Sequence, residues 1–405
     1  MRTGKVFIGW VLLCVFACAF SSCKDGETKI SSVQNTENTL DVSSQETASA
    51  TASAPEMRPE DLVVENLRIN EEGTNVTGQI NDIMSIDAKL MSTVDPMAPG
   101  KASSYTATHR TFSTAQRTMF VQPGWTLIES EHIPASYQHE DEYFDVYEDS
   151  AGNQHHCIIV TDDAWYYTLR GELINEVEVP MEYRSQTDLS FATEQEAFET
   201  AKTFAESYGY KISDFYYVDR LPFEELEISS RTIDQSIIEE ALPRGWTSDQ
   251  DAYIFQLFVD IDGLPMYSVG SNPLSEDHPI QTGTRIKIIL TAMGVEYAHF
   301  SFQYENTTVQ STGEMCNIEQ ALNLVSQTII LGNTWQTPPV NVDIISLAYL
   351  GQWEPSTGAV ILRPFWVFRI QETGPDTQGG HMNYYVDALS KIVTNDQSFT
   401  EPEEW

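Results

Sequence analysis

Apolar and polar positions alternate most clearly in two stretches of the chain. "IIVTDDAWYYTL" runs from Ile158 to Leu169, and "IILTAMGVEYAHF" runs from Ile288 to Phe300. In each, a β-branched run meets a turn and then alternating aromatics, which is the pattern of a β-hairpin. After each hairpin the period lengthens. In "TEQEAFETAKTFAESYG", Ala197, Phe198, Ala201, Phe204, Ala205 and Tyr208 recur at helical spacing. Thr193 is placed to cap this helix, Glu196 to complete a capping box, and Gly209 to end it. In "NIEQALNLVSQTIILGN", Asn317 and Gln320 take the capping positions. There Ile318, Ala321, Leu322, Val325 and Ile329 form the apolar face, and Gly332 closes the segment.

Each helix then meets β runs. "DFYYVDRL" from Asp214 and "DIISLAYL" from Asp343 come first, followed by "AYIFQLFVDIDG" from Ala252 and "LRPFWVFRI" from Leu362. The same four elements thus occur twice in one order, with their hairpins 130 residues apart. That interval is too long for a solenoid repeat. The expected fold class is α+β: two tandem units, each an antiparallel sheet with one main helix packed on it. The expected organisation is a leader over 1–22, a tether over 23–60 and N-terminal strands with a short helix over 61–140. The first unit follows over 141–250 and the second over 251–405. Within the N-terminal part, residues 61–91 read as one or two edge strands, and "FSTAQRTMF" from Phe112 as a short capped helix.

The first 22 residues change the picture of location. Arg2 and Lys5 precede an apolar run of 15 residues, Val6 to Phe20, and the small residues Ser21 and Ser22 stand before Cys23. Charge, length and small-residue end are those of a secretory signal. The run is shorter than the roughly 20 residues a membrane-crossing helix needs. Phe20-Ser21-Ser22-Cys23 resembles a bacterial lipobox, which implies a lipid on Cys23 and an anchor in the membrane at the extracytoplasmic face. Lys24 to Glu60 is rich in Ser, Thr, Glu and Ala and has no apolar period, the composition of a flexible tether.

Charge excludes one class of partner. The chain has 22 basic and 60 acidic residues, a net −38. Loss of residues 1–22 leaves 20 against 60, or −40. Such a field repels phosphate backbones, so nucleic acid is not an expected partner. Eighteen Tyr, eighteen Phe and eight Trp supply a packed core and argue against a disordered acidic chain. Beyond Cys14, Cys18 and Cys23 only Cys157 and Cys316 remain. They fall at different places in the repeat, so two free, half-buried thiols are expected rather than a bridge.

Candidate chemistry is sparse. "HEDEYFDVYEDSAGNQHHC", His139 to Cys157, gathers three His, six acids and a Cys. It reads as a hairpin, "EYFDVYED" and "QHHCIIV" around "SAGN". His155 and His156 then point to opposite faces and cannot share an ion. His155 and Cys157 share a face and are the weak metal candidates; no metal and no cofactor is expected. "DIDG" at Asp260 to Gly263 reads as a hairpin turn, since an EF-hand's third acid and distal Glu are missing. His299 reads as a strand-face histidine. No Gly-x-Ser-x-Gly, His-Glu-x-x-His or Gly-rich phosphate loop is present. The remaining ligand-contact candidates are aromatic: Trp165 and Tyr167 in the first hairpin, and Trp353, which "GQWEPSTG" places at a loop tip between strands.

The closing "YYVDALSKIV", with helix and strands before it, resembles PepSY-type domains, small cystatin-like extracytoplasmic modules. With "LRPFWVF" ahead of it and a lipobox at the start, the layout is also similar to clostridial lipoproteins. A weaker similarity is to extracytoplasmic regulators of the YycH type, which restrain a sensor kinase. The resemblance covers about residues 140–395 and departs from the family at Leu389, Ser390 and Lys391, where a glycine turn is usual. It implies a non-catalytic binding or regulatory module contacting another surface or membrane protein. The alternatives are a cell-surface carbohydrate or small-molecule binder, motivated by the aromatics, and an acid-pair hydrolase.

Overall fold

The computed structural model describes residues 64–80, 84–109, 111–136, 141–161, 163–177, 185–267, 280–281, 284–301, 304–332, 339–354, 357, 359–373 and 381–396. The leader, the tether and Cys23 lie outside the described residues. Of those described, 51% are in strands and 20% are helical, with five α-helices. The strands join in one mixed sheet of nineteen.

Half of this sheet is an antiparallel run of eight strands. Its order is β9 (Ile212–Leu221), β10 (Ala252–Ile261), β13 (Arg285–Thr291), β14 (Gly294–Ser301), β8 (Asp163–Thr168), β7 (Gln154–Ile159), β6 (Glu142–Glu148) and β5 (Thr126–Ile133). Alternate residues of these strands enter different cores. Tyr166, Ile288 and Ala298 lie in one core, and Tyr167, Ile289 and Tyr297 in another. The first core is covered by the helix Glu194–Glu206, through Ala197, Phe198, Ala201 and Ala205. The second is covered by Leu173 and Ile174 of the helix Leu169–Glu176, Leu226 of the helix Phe223–Ser229 and Ile238 of the helix Gln235–Ala241. We call these helices α2, α1, α3 and α4 in that order of mention, and Ile318–Gly332 is α5.

The other half runs β1 (Glu65–Ile69), β2 (Asn75–Ile80), β3 (Met84–Met91), β16 (Val340–Glu354), β17 (Ala359–Glu372), β18 (His381–Asp387) and β19 (Val393–Asp396). All its pairs are antiparallel except β3 with β16. The strand β4 (Lys101–His109) pairs with the start of β17 and with β15 (Tyr304–Glu314). Ile318, Ala321, Leu322, Val325 and Ile329 of α5 share a core with Trp366, Phe368 and Val386. The hairpin of β10 with β11 (Leu264–Met266) connects the halves, because β11 also pairs with β16.

This overturns the expected α+β pair of tandem helix-on-sheet units. The two look-alike hairpins do not occupy matching places in separate sheets. They lie side by side, with Tyr166 of β8 opposite Ala298 of β14. Residues 84–91, expected in an edge strand, form the interior strand β3. The physical reason is that period-two alternation reports which face of a strand is buried but not which strand sits beside it. A sheet edge exposes unpaired N–H and C=O groups, and joining the edges removes that exposure.

Local signals formed as the pattern predicts. Thr193 and Glu196 make a reciprocal capping box on α2, and Gly209 after it has φ +90. Asn317 and Gln320 exchange the equivalent bonds at α5. Asp262 and Gly263 both have positive φ, 53 and 83, in the two-residue turn between β10 and β11. "FSTAQRTMF" forms a short 3₁₀ helix at Thr114–Gln116, with the Ser113 N–H donating to Gln116 Oε1. No helix of the described residues is long and apolar enough to cross a membrane.

Candidate functional site

A cleft of about 240 Å³ opens where the start of β6 meets the end of β7. Its lining is Phe112, Ser113, Asp141, Tyr143, Ile159, Val160 and Thr161. The cross-strand pair Tyr143–Ile159 supplies one wall. Phe112 is held against it because its N–H donates to the Thr161 carbonyl at 2.8 Å. The neighbouring strand β5 contributes His132, opposite Tyr143 in register. The two rings stack at 4.3 Å and are within 1° of parallel. His132 Nε2 lies 2.8 Å from Asp141 Oδ1. This bond, with smaller contributions from Tyr143 and the Ala135 N–H, holds the Asp141 carboxyl below its ordinary range. Arg117 approaches the Tyr143 ring at 4.7 Å and donates to the buried Asp145 at 3.1 Å. Ser113 donates its hydroxyl to Gln116 Oε1 at 2.7 Å.

This group has the residue types of a Ser/His/Asp arrangement without its wiring. In a triad the serine hydroxyl faces the histidine, and the carboxylate orients the imidazole from its other nitrogen. Here the serine proton goes to Gln116. Among the described residues, no three His, Cys, Asp or Glu side chains converge as a metal site requires.

The opposite face of the same sheet carries a second polar group. Trp165 of β8 stacks on His299 of β14 at 4.6 Å and 15°. His299 Nε2 is 3.1 Å from Asp163 Oδ1, and burial lowers the His299 pKa in spite of that contact. Lys287, opposite His299 on β13, donates to Asn175 Oδ1 of α1 at 2.8 Å. Burial pushes Lys287 down to about 8. Burial, helped by Glu176 and opposed by Lys287, pushes Glu172 of α1 up to about 7.

The residues singled out from sequence are scattered relative to the cleft. Trp165 is half-buried in the His299 stack. Tyr167 is a core residue, 5% exposed and stacked on His156 at 4.8 Å, so it does not offer a ligand platform. Trp353 is within β16, opposite Val360, rather than at a loop tip; the strand continues to Glu354. Its side chain is outside the described residues. His155 is stacked on Trp125 at 3.7 Å, with Nδ1 3.0 Å from the Tyr166 hydroxyl and Nε2 3.4 Å from Asp149. Cys157 is buried beside this group, and burial raises its thiol to about 12. His155 and Cys157 are therefore parts of the hairpin's packing. Cys157 and Cys316 are both free and fully buried, where half-burial was expected. Cys23 lies outside the described residues.

Sequence reading missed His132, Ser113 and Tyr143, and it passed over Asp141 among five other acids. The one available signal was register. A hairpin from Thr126 to Glu148 brings His132 opposite Tyr143, but finding it requires the position of the turn between the strands.

No protein-family model matches the chain, and no curated protein matches it. Among solved structures the chain is similar to that of an uncharacterized protein from Eubacterium rectale ATCC 33656. The TM-score is 0.56 at 17% identity, over 79% of this chain and 93% of that one. At that identity the likeness concerns the fold alone.

Proposed function

We propose that the protein is a lipid-anchored extracytoplasmic module that binds another surface or membrane protein and performs no chemistry of its own. The observation that carries the reading is the wiring of the cleft. Ser113 gives its hydroxyl proton to Gln116 and not to His132, so the cleft does not assemble a Ser–His nucleophile–base pair. Groups so arranged present fixed hydrogen-bonding and aromatic surface, which suits recognition. The leader and Cys23 support the location, and the resemblance of the closing strand to PepSY-type modules supports a regulatory role.

Cross-linking in intact membranes followed by capture of the full-length protein tests this. A partner recovered reproducibly with the native chain is the expected result. Cys23→Ala separates the anchor from the contact, since it should release the protein from the membrane. Recovery of lipid alone from repeated captures would count decisively against the reading.

A second reading, a carbohydrate or small-molecule binder, is favoured by the half-buried Trp165–His299 stack. A native-state ligand raises the melting temperature. A screen of cell-wall sugars in which the native chain responds and Trp165→Ala does not would favour it.

A further inference from the structure

We propose that the cleft between β6 and β7 receives a basic side chain, lysine or arginine, of a protein partner. The inference rests on the binding reading above and adds the chemistry of what is bound.

The argument begins with where the protons are. Ser113 has donated its hydroxyl proton to Gln116 Oε1, so toward the cleft its oxygen has only lone pairs to offer. The Tyr143 hydroxyl hydrogen-bonds the Asp141 carboxylate, a pairing in which the hydroxyl is the donor. Asp141 is anionic, and its bonds from His132, Tyr143 and the Ala135 N–H keep it so. Its side chain is 42% exposed and open to an incoming group. The cleft therefore offers acceptors, and its complement is a group with several donors. Phe112, Ile159 and Val160 supply apolar walls beside these acceptors. An alkyl stem ending in an ammonium or guanidinium satisfies both requirements, because such side chains lay their methylenes on apolar surface and keep the charge at a polar tip.

Charge complementarity points the same way. With 60 acidic and 22 basic residues, the chain attracts a basic partner over long range. Arg117, which lies over the Tyr143 ring, is already paired with buried Asp145 and does not oppose entry. A negatively charged ligand would instead meet Asp141 directly. Alkyl cations also occur as free polyamines; the fixed acceptors on one short wall favour a single terminal cation on an apolar stem.

The test uses the purified full-length protein and three probes: acetyl-Gly-Lys-Gly-amide, its norleucine counterpart and spermidine, titrated by calorimetry. The lysine peptide should bind, and the norleucine peptide, which lacks only the charged donor, should bind roughly ten- to a hundredfold more weakly. Asp141→Asn should weaken the lysine peptide by at least about tenfold, whereas Glu72→Gln, at an exposed acid in the turn between β1 and β2, should not. Ser113→Ala removes one acceptor without touching the charge and should cost a few-fold in affinity. Equal binding of the two peptides, or equal losses in Asp141→Asn and Glu72→Gln, overturns the inference. Preferential binding of spermidine transfers the site to free polyamines and overturns it as well. Absence of peptide binding alongside an intact, Asp141-independent membrane capture would remove this inference and leave the binding reading standing.

Discussion

The Tyr349 hydroxyl lies 2.9 Å from a carboxylate oxygen of Asp262, at the tip of the β10–β11 hairpin. The same carboxylate accepts from the Tyr105 hydroxyl at 2.8 Å and from the Ser103 N–H at 3.2 Å. One turn residue thereby ties a hairpin of the eight-strand run to β4 and β16 of the other half of the sheet. Burial, then the bond to Asp262, raises the pKa of both tyrosines, which keeps them protonated as donors.

Replacing Asp262 should separate its two roles. Asp262→Asn keeps a residue tolerant of positive φ but loses the charge, whereas Asp262→Ala loses both. Urea unfolding should show Asp262→Ala destabilised by roughly 2–4 kcal/mol and Asp262→Asn by about half as much. Equal small effects would mean that the tie contributes little.

Gly171 is set by close approach, not by its backbone angles. A Cβ there would fall on the Glu296 carbonyl of β14, where α1 meets the sheet. Gly171→Ala should destabilise the fold by roughly 1–3 kcal/mol, the usual cost of overpacking. A melting temperature equal to that of the native chain would show that α1 shifts freely.

His156 should make the fold acid-sensitive. It is buried, with neither ring nitrogen bonded, and stacks on Tyr167. Burial, with a smaller contribution from His155, lowers its pKa to about 4. The unfolded chain takes up a proton near 6.5 and the folded one only near 4, so stability falls as pH drops through that window. The full loss is about 3 kcal/mol. His156→Phe should flatten this limb in unfolding curves recorded between pH 7 and pH 4; an unchanged slope would assign the acid limb to other groups.

Glu172 acts with the opposite sign. Its folded pKa is raised to about 7, chiefly by burial. Its contribution is fully present below about 4.5 and is lost as pH rises through 7. Glu172→Gln should therefore raise stability at pH 8 and leave it nearly unchanged at pH 4. The same unfolding series measures this, and a loss at pH 8 would show the ionised carboxylate to be stabilising.

The two remaining thiols should be silent in the native protein. Cys157 and Cys316 are 1% and 2% exposed, and burial raises their pKa to about 12 and about 11. A thiol reagent at pH 8 should label neither until denaturant is added, because the thiolate is the reactive form. Rapid native labelling would reveal local opening around β7 or the start of α5.

Much of the local structure was legible in the chain. Thr193 with Glu196, Asn317 with Gln320, and Asp262 with Gly263 each act through bonds made within a few residues, so their effect is written where they stand. Burial of Ala197, Phe198, Ala201 and Ala205 follows from helical period in the same way. The cleft was not legible. His132, Asp141 and the adjacent Phe112 and Ser113 come from three segments, and only the tertiary structure brings them to one corner.

The sequence by itself determined α2 and α5, several of the strands, where some of these start and stop, and which face of each is apolar, because caps, turns and periodicity act over a few residues. Only the tertiary structure decided that the twin hairpins become neighbours through β8 and β14, that Met84–Met91 enters the interior of the sheet, and that Tyr167 is core while Asp141 faces a cleft. The reason is that backbone hydrogen bonds between strands are indifferent to side chains. Many pairings satisfy the same alternation, and the choice among them is made by the packing of all the faces together.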